Sequence, residues 1–274
     1  MTTTITPIKT KIALPNNFFF LILYRQADNH RKINLETCIK YLRKQFTNAS
    51  IVIAEQDINK KINDKFIDDY KCEYYFLYNP YCFNKGWAIN CIIKNFKSDT
   101  NTFCMLDSDM IIIDPRCVSK ALTLLSKNKV KGVNLIGKLF KMNKNNTRRF
   151  IQTNCANVFR KDITDRSEFF GGGAVIFDTK FFLHYGGYIE YKSWGGEDNY
   201  IEIVYKKLKQ NTTVNGKFLH MYHPERNAAN YNKQNHLAQI RHLKLLSTYS
   251  YHNIKKYALD AMKRRGKLNK FKIN

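Results

Sequence analysis

The stretch Phe103-Cys104-Met105-Leu106-Asp107-Ser108-Asp109 sets four apolar residues directly before two acids. An apolar run this short reads as a strand buried on both faces, the kind found in the middle of a parallel sheet. In an extended chain residues i and i+2 project from the same side, so Asp107 and Asp109 face one ligand at the strand's carboxyl end. Two carboxylates held together are costly without a cation between them. A divalent ion carrying a diphosphate fits, because hard cations take oxygen ligands and bridge to phosphate. A lone D-x-D triplet suits a solvated turn equally well, but here the run Met110-Ile111-Ile112-Ile113 follows at once and keeps the triplet against the core.

Upstream of this stretch, strand and helix patterns alternate. Phe18 to Leu23 reads as a strand, and Leu35, Cys38, Ile39, Leu42 and Phe46 follow at helical spacing. Ser50 to Ala54 and Tyr74 to Tyr78 are further strands. Ala88, Cys91, Ile92 and Phe96 place an apolar face on a helix after Asn84, and Val118, Ala121, Leu122 and Leu125 mark another. This alternation predicts an α/β fold with a parallel, doubly wound sheet, whose ligands bind beyond the carboxyl ends of the strands. Residues 127–168 show basic stretches and little periodicity, which predicts an insertion or a segment lying over the site. Beyond Gly171-Gly172-Gly173, a strand over Ala174 to Phe177, a short helix over Lys180 to Tyr185 and a helix carrying Ile201, Val204, Tyr205 and Leu208 complete the pattern.

Composition excludes several classes. The 274 residues are 44% hydrophobic and 14% aromatic, too apolar for a disordered basic tail, and they suit one large domain. The apolar run Phe18 to Tyr24 falls far short of the roughly 20 residues of a membrane-spanning helix. No secretory signal is visible, and the seven cysteines include no C-x-x-C pair, so a reducing, cytoplasmic location is expected. The net charge of +24 favours anionic partners without choosing among them. Residues 252–274 carry eight Lys or Arg and one Asp, interleaved with Ile254, Tyr257, Met262, Leu268 and Phe271. This pattern predicts a basic C-terminal tail, following a domain over 1–251, that forms an amphipathic helix on an anionic membrane surface.

Two further groups carry chemistry. His220 and His223 follow the strand pattern Lys217 to Leu219, and two imidazoles three residues apart converge readily on one metal, either manganese or magnesium in company with a carboxylate. Trp194-Gly195-Gly196-Glu197-Asp198 joins an indole face able to carry a sugar ring, two glycines that let the backbone approach a ligand, and two acids at a helix start. Asp198 in that position also suits a helix cap.

In this order, Asp107-Ser108-Asp109, Phe170-Gly171-Gly172, Gly186-Gly187-Tyr188 and Trp194-Gly195-Gly196-Glu197-Asp198 resemble the GT-A glycosyltransferases, specifically the galactosyltransferase-type group with its W-G-G-E-D signature. Tyr24-Arg25 and Phe83-Asn84-Lys85-Gly86 resemble two upstream motifs of that group. The resemblance covers about Phe18 to His223. It implies a Rossmann-like nucleotide-binding sheet (about 16–126) fused to an acceptor-binding half (about 127–251), and metal-dependent, inverting transfer of a hexose or N-acetylhexosamine from a UDP-sugar to a glycan, glycoconjugate or protein acceptor.

Residue by residue, the resemblance makes Asp109 and His223 metal ligands, with His220 standing where the family has a methionine and Asp107 a ribose or metal contact. Arg25 and Lys85 match nucleotide contacts. Trp194, Gly195, Gly196, Glu197, Gly171 and Gly172 match the sugar-binding set, and Asp198 the general base, with Glu197 beside it. The longer stretch between the triplet and Phe170, and His in place of Met, are departures from the family pattern. The absence of a visible anchor implies a cytoplasmic bacterial or viral enzyme, free or peripheral on a membrane in a host cell. Two other classes compete: a nucleic-acid-binding basic protein, which the convergence of acids and the lack of any nucleic-acid motif disfavour, and an inactive sugar-binding module, which would not need Asp198.

Overall fold

The computed structural model describes residues 2–8, 10–192, 195–224 and 233–271. The first half runs β1 (Thr2–Ile5), β2 (Phe18–Tyr24), α1 (Asn29–Gln45), β3 (Ser50–Asp57), α2 (Asp64–Tyr70), β4 (Glu73–Tyr78), α3 (Lys85–Phe96) and β5 (Thr102–Asp107). Every residue of β2 is buried, which explains its unbroken apolar run. Phe18, Phe20, Ile22 and Tyr24 enter the core on one face of the sheet, and Phe19, Leu21 and Leu23 enter the core on the other, with the period of two that a pleated strand imposes. Short polar side chains set the helix starts: Asp28 accepts from the Arg31 N–H at α1, Asn63 from the Phe66 N–H at α2, and Asn84 from the Trp87 N–H at α3.

The second half comprises β6 (Met110–Ile112), α4 (Arg116–Ser126), β7 (Gly132–Lys141), α5 (Lys144–Thr153), β8 (Ala156–Phe159), β9 (Ile163–Asp165), β10 (Ala174–Asp178), α6 (Thr179–His184), α7 (Glu197–Lys207), β11 (Asn211–His220), α8 (Lys233–Thr248) and α9 (Tyr251–Met262). Among the described residues one sheet has the order β4-β3-β2-β5-β10-β7-β11-β6, with β9 paired to β7, and β1 and β8 form a separate two-stranded sheet.

The expected parallel sheet is present only in part. Strands β2 to β5 are parallel, whereas β10 runs antiparallel to both its neighbours and β6 antiparallel to β11. The runs in β7 and β10 are buried on both faces and carry no directional signal; direction comes from the connections, which here do not all cross over through helices. The expectation for 127–168 is likewise corrected. Its first part, β7, lies inside the main sheet, and α5, β8 and β9 are ordered elements around it.

The C-terminal segment also differs from its reading. α9 lies against α6 and α7, with Ile254 and Ala258 fully buried. The Tyr257 hydroxyl sits 3.1 Å from His242 Nε2, and the Phe271 ring packs against Trp87 at 4.7 Å. The apolar side of this segment therefore faces the domain and not a lipid surface, although Leu268 is exposed. Arg265 is buried: it donates to the Gly186 carbonyl at 2.6 Å and the Tyr200 hydroxyl at 3.0 Å while its guanidinium lies over the Tyr200 ring. Removing it strands those acceptors, so Arg265→Met should cost about 2–3 kcal/mol. Urea unfolding of the variant checks this, and an unchanged midpoint would contradict the anchoring role.

Candidate active site

The acids of the triplet lie where the sheet's architecture places ligands, at the carboxyl end of β5. The Asp107 N–H donates to the Gly173 carbonyl at 2.8 Å, and the Met221 N–H donates to the Asp109 carbonyl at 2.8 Å. The second bond draws the end of β11 against the triplet. As a result His220 Nε2 stands 3.6 Å from one Asp109 oxygen and His223 Nε2 stands 3.2 Å from the other. The three ligating atoms lie within 4.8 Å of one another.

Asp109 is buried, and its Oδ1 has no hydrogen-bond donor. Burial alone would raise its carboxyl, but the fields of His220 and His223, the hydrogen bond from His223 and nearby Arg31 outweigh it and hold the group well below the usual range. An ionised, under-satisfied carboxylate facing two imidazoles fits a divalent cation of the borderline or hard kind. His223 Nδ1 is 2.9 Å from the Pro224 carbonyl; donating there would leave Nε2 free to ligate. Arg31, which the sequence reading did not single out, approaches the same Nδ1 at 3.2 Å from α1. Nothing in local spacing marks it, since 192 residues separate the pair.

The hydrogen bond to Asp109 raises the His223 pKa above its ordinary value, so protons compete with a metal for this nitrogen. Manganese affinity should therefore weaken as pH falls from about 8 through the ordinary histidine range near 6.5. Titrations of Mn2+ at several pH values check it, and a flat affinity across that window would contradict the assignment.

Beside the triplet, Lys85 at the start of α3 is buried between acids. Its Nζ lies 3.0 Å from Asp198 and 3.5 Å from Asp107. Burial opposes its charge, but Asp107, Asp198 and Glu197 together raise its pKa and keep it protonated. In the opposite direction burial raises the Asp198 carboxyl above the usual range; Lys85 opposes this, and the like charges of Glu197 and Asp107 add to it. One ammonium thus serves three carboxylates, and Asp198 is left more basic than a solvated aspartate.

Asp198 is not the helix cap. Gly196 caps α7 in the left-handed region at φ 86°, with no side-chain cap bond, which leaves the Asp198 carboxylate to Lys85. Gly171 and Gly172 make room for it. A Cβ at Gly172 would lie 2.8 Å from Asp198 Oδ2, and one at Gly171, where φ is 127°, would lie 2.4 Å from the Asp198 carbonyl. The backbone approach of α7 and the positive φ require glycine at Gly171, whereas a side chain at Gly172 would press on the Asp198 carboxylate. The Tyr188 hydroxyl donates to the Gly171 carbonyl at 2.5 Å, tying the Gly186-Gly187-Tyr188 motif to the same junction.

Other expected residues stand differently. Arg25 donates to the backbone carbonyls of Gln56, Asn79 and Tyr81, joining the end of β3 to the loop after β4. Glu197 is buried and lines a small cavity with Asn84, Lys85, Ile189 and Tyr191. Gly195 faces His236 of α8. Trp194 lies outside the described residues.

No family model and no curated protein sequence matches the chain. Among solved structures, Staphylococcus aureus TarS 1-349 in complex with UDP-GlcNAc is similar, at 11% identity and TM-score 0.60, over 90% of this chain and 72% of that one. The same protein without that ligand gives 10% identity and TM-score 0.54 over 93% and 72%. The catalytic domain of Drosophila β1,4-galactosyltransferase 7 in complex with xylobiose is more distant, at 13% identity and TM-score 0.48 over 89% and 84%. The fold is that of the GT-A glycosyltransferases, a mixed α/β fold around one curled sheet.

Proposed function

We propose that this chain is a metal-dependent glycosyltransferase that moves a hexose or N-acetylhexosamine from a UDP-sugar to an acceptor hydroxyl, with inversion at the anomeric carbon. The observation that carries this reading is the joining of two acid centres at the ends of the central strands: Asp109 with His220 and His223, and Asp198 linked through Lys85 to Asp107.

Asp109, His220 and His223 would hold the metal, and Asp107 would face the donor beside it. A bound Mn2+ or Mg2+ supplies positive charge to the donor diphosphate and to the departing UDP. Asp198 takes the proton of the acceptor hydroxyl as that oxygen attacks the anomeric carbon and the bond to UDP breaks. Lys85 holds the Asp198 carboxylate in place. Glu197, buried at the α7 start, would bind the acceptor, and Trp194 is assigned to the sugar. Arg25 would support the nucleotide end by tying the end of β3 to the loop beyond β4.

No helix among the described residues is long and apolar enough to cross a membrane. None of the seven cysteines is joined in a disulfide, which supports a reducing compartment such as the cytoplasm. Screening a panel of nucleotide-sugars for metal-dependent hydrolysis and thermal stabilisation tests the reading. A UDP-sugar that stabilises the protein only with Mn2+ or Mg2+ supports it. No response to any donor with either ion would overturn it.

A further inference from the structure

Residues 138–161 carry seven Lys or Arg and no acid. Lys141, Lys144, Arg148, Arg149, Arg160 and Lys161 are all exposed, and none of them makes an ion pair among the described residues. This basic face adjoins the metal-ligand segment. Lys141 is the register partner of His220 on β11, and the Met142 N–H donates to the His220 carbonyl at 2.9 Å. On α5 the Thr147 hydroxyl accepts from the Tyr222 N–H at 2.8 Å, one residue before His223. Helix α5 in turn packs against β8, which leads to Arg160 and Lys161.

Resting on the glycosyltransferase reading, we propose that this face binds the acceptor and that the acceptor is an acidic glycan, one whose carboxylate or phosphate groups run along α5 while a hydroxyl enters the site. Unpaired like charges on one face repel one another, and a polyanion relieves that repulsion while releasing its own counterions. A glycan fits better than a lipid surface because Thr147 and Phe150 of α5 are buried, which leaves Ile151 as the one large apolar side chain the helix exposes, too little to insert into a bilayer. It fits better than a nucleic acid because residues 138–161 offer bases a single exposed ring, Phe159, with the Lys161 ammonium 6.0 Å from its centroid, and not a run of stacking platforms.

The test uses the full chain with Mn2+ and UDP on an array of neutral oligosaccharides and their uronate- or phosphate-bearing counterparts, at about 0.15 M salt to screen long-range attraction. A triple charge reversal of Lys144→Glu, Arg148→Glu and Arg149→Glu is compared with one of Lys127→Glu, Lys129→Glu and Lys209→Glu, three exposed lysines at the opposite end of β7 and β11. The first triple should lose acidic-glycan binding by about tenfold or more, and the second should stay near the parent. Equal losses in both triples, no preference for acidic over neutral glycans, or α5-dependent capture by anionic vesicles or RNA in preference to acidic glycans would each overturn the proposal. UDP affinity measured in the same proteins reports on the transferase reading separately. A parent that binds acidic glycans through α5 but no nucleotide would overturn that reading while leaving the surface in place.

Discussion

Asp198→Asn should slow sugar transfer by about 10²–10⁴-fold, the contribution of a positioned proton acceptor, while leaving metal-dependent UDP affinity near that of the parent. The substitution preserves shape, and Lys85 keeps Asp107 as a partner, so the donor side of the site is undisturbed. The loss should therefore fall on turnover. The pH profile of the parent carries the same information. Burial and neighbouring acids raise the Asp198 carboxyl above the usual range, and a base works only when ionised. Activity should accordingly rise with pH through that raised value and decline below it, and this limb should vanish in the Asn variant. An Asn variant with near-parental turnover would move the base elsewhere, with Glu197 the first place to look.

Asp109→Ala should leave Mn2+ free in solution. Asp109 supplies the charge between the two imidazoles, and even the outer partners of metal ligands are worth about 10–100-fold in affinity, so removal of the ligand itself should cost at least that. Electron paramagnetic resonance reads free Mn2+ directly. His220→Ala and His223→Ala should each weaken binding in the same experiment, since both rings face the same carboxylate. Parental Mn2+ affinity in the Asp109 variant would place the metal elsewhere.

Much of this site was legible because the chemistry sits at strand ends. The run Phe103–Leu106 announced β5, and the spacing of His220 and His223 matches their convergence on Asp109, whereas the extended i, i+2 reading of the triplet fails: β5 ends at Asp107, Ser108 and Asp109 form a turn, and Asp107 pairs with Lys85 while Asp109 joins the histidines. What could not be read depends on contacts distant in sequence. Lys85 resembled a nucleotide contact, and its ion pair with Asp198 spans 113 residues. Gly171 resembled a sugar contact, and the requirement for glycine there, set by the close approach of the α7 backbone, is visible only in the fold. The direction of β10 and the place of β7 escaped because a strand buried on both faces looks alike whichever way it runs. The basic C-terminus looked free because charge dominates its composition, whereas a few inward residues, Ile254, Ala258 and Arg265, fix it to the domain.

Isothermal titration of UDP into the parent protein, once with Mn2+ and once with a chelator, tests the central claim most directly. Strong binding with Mn2+ that disappears with the chelator is the result expected of a diphosphate held through a cation on Asp109, His220 and His223. Equal binding in both titrations would contradict it.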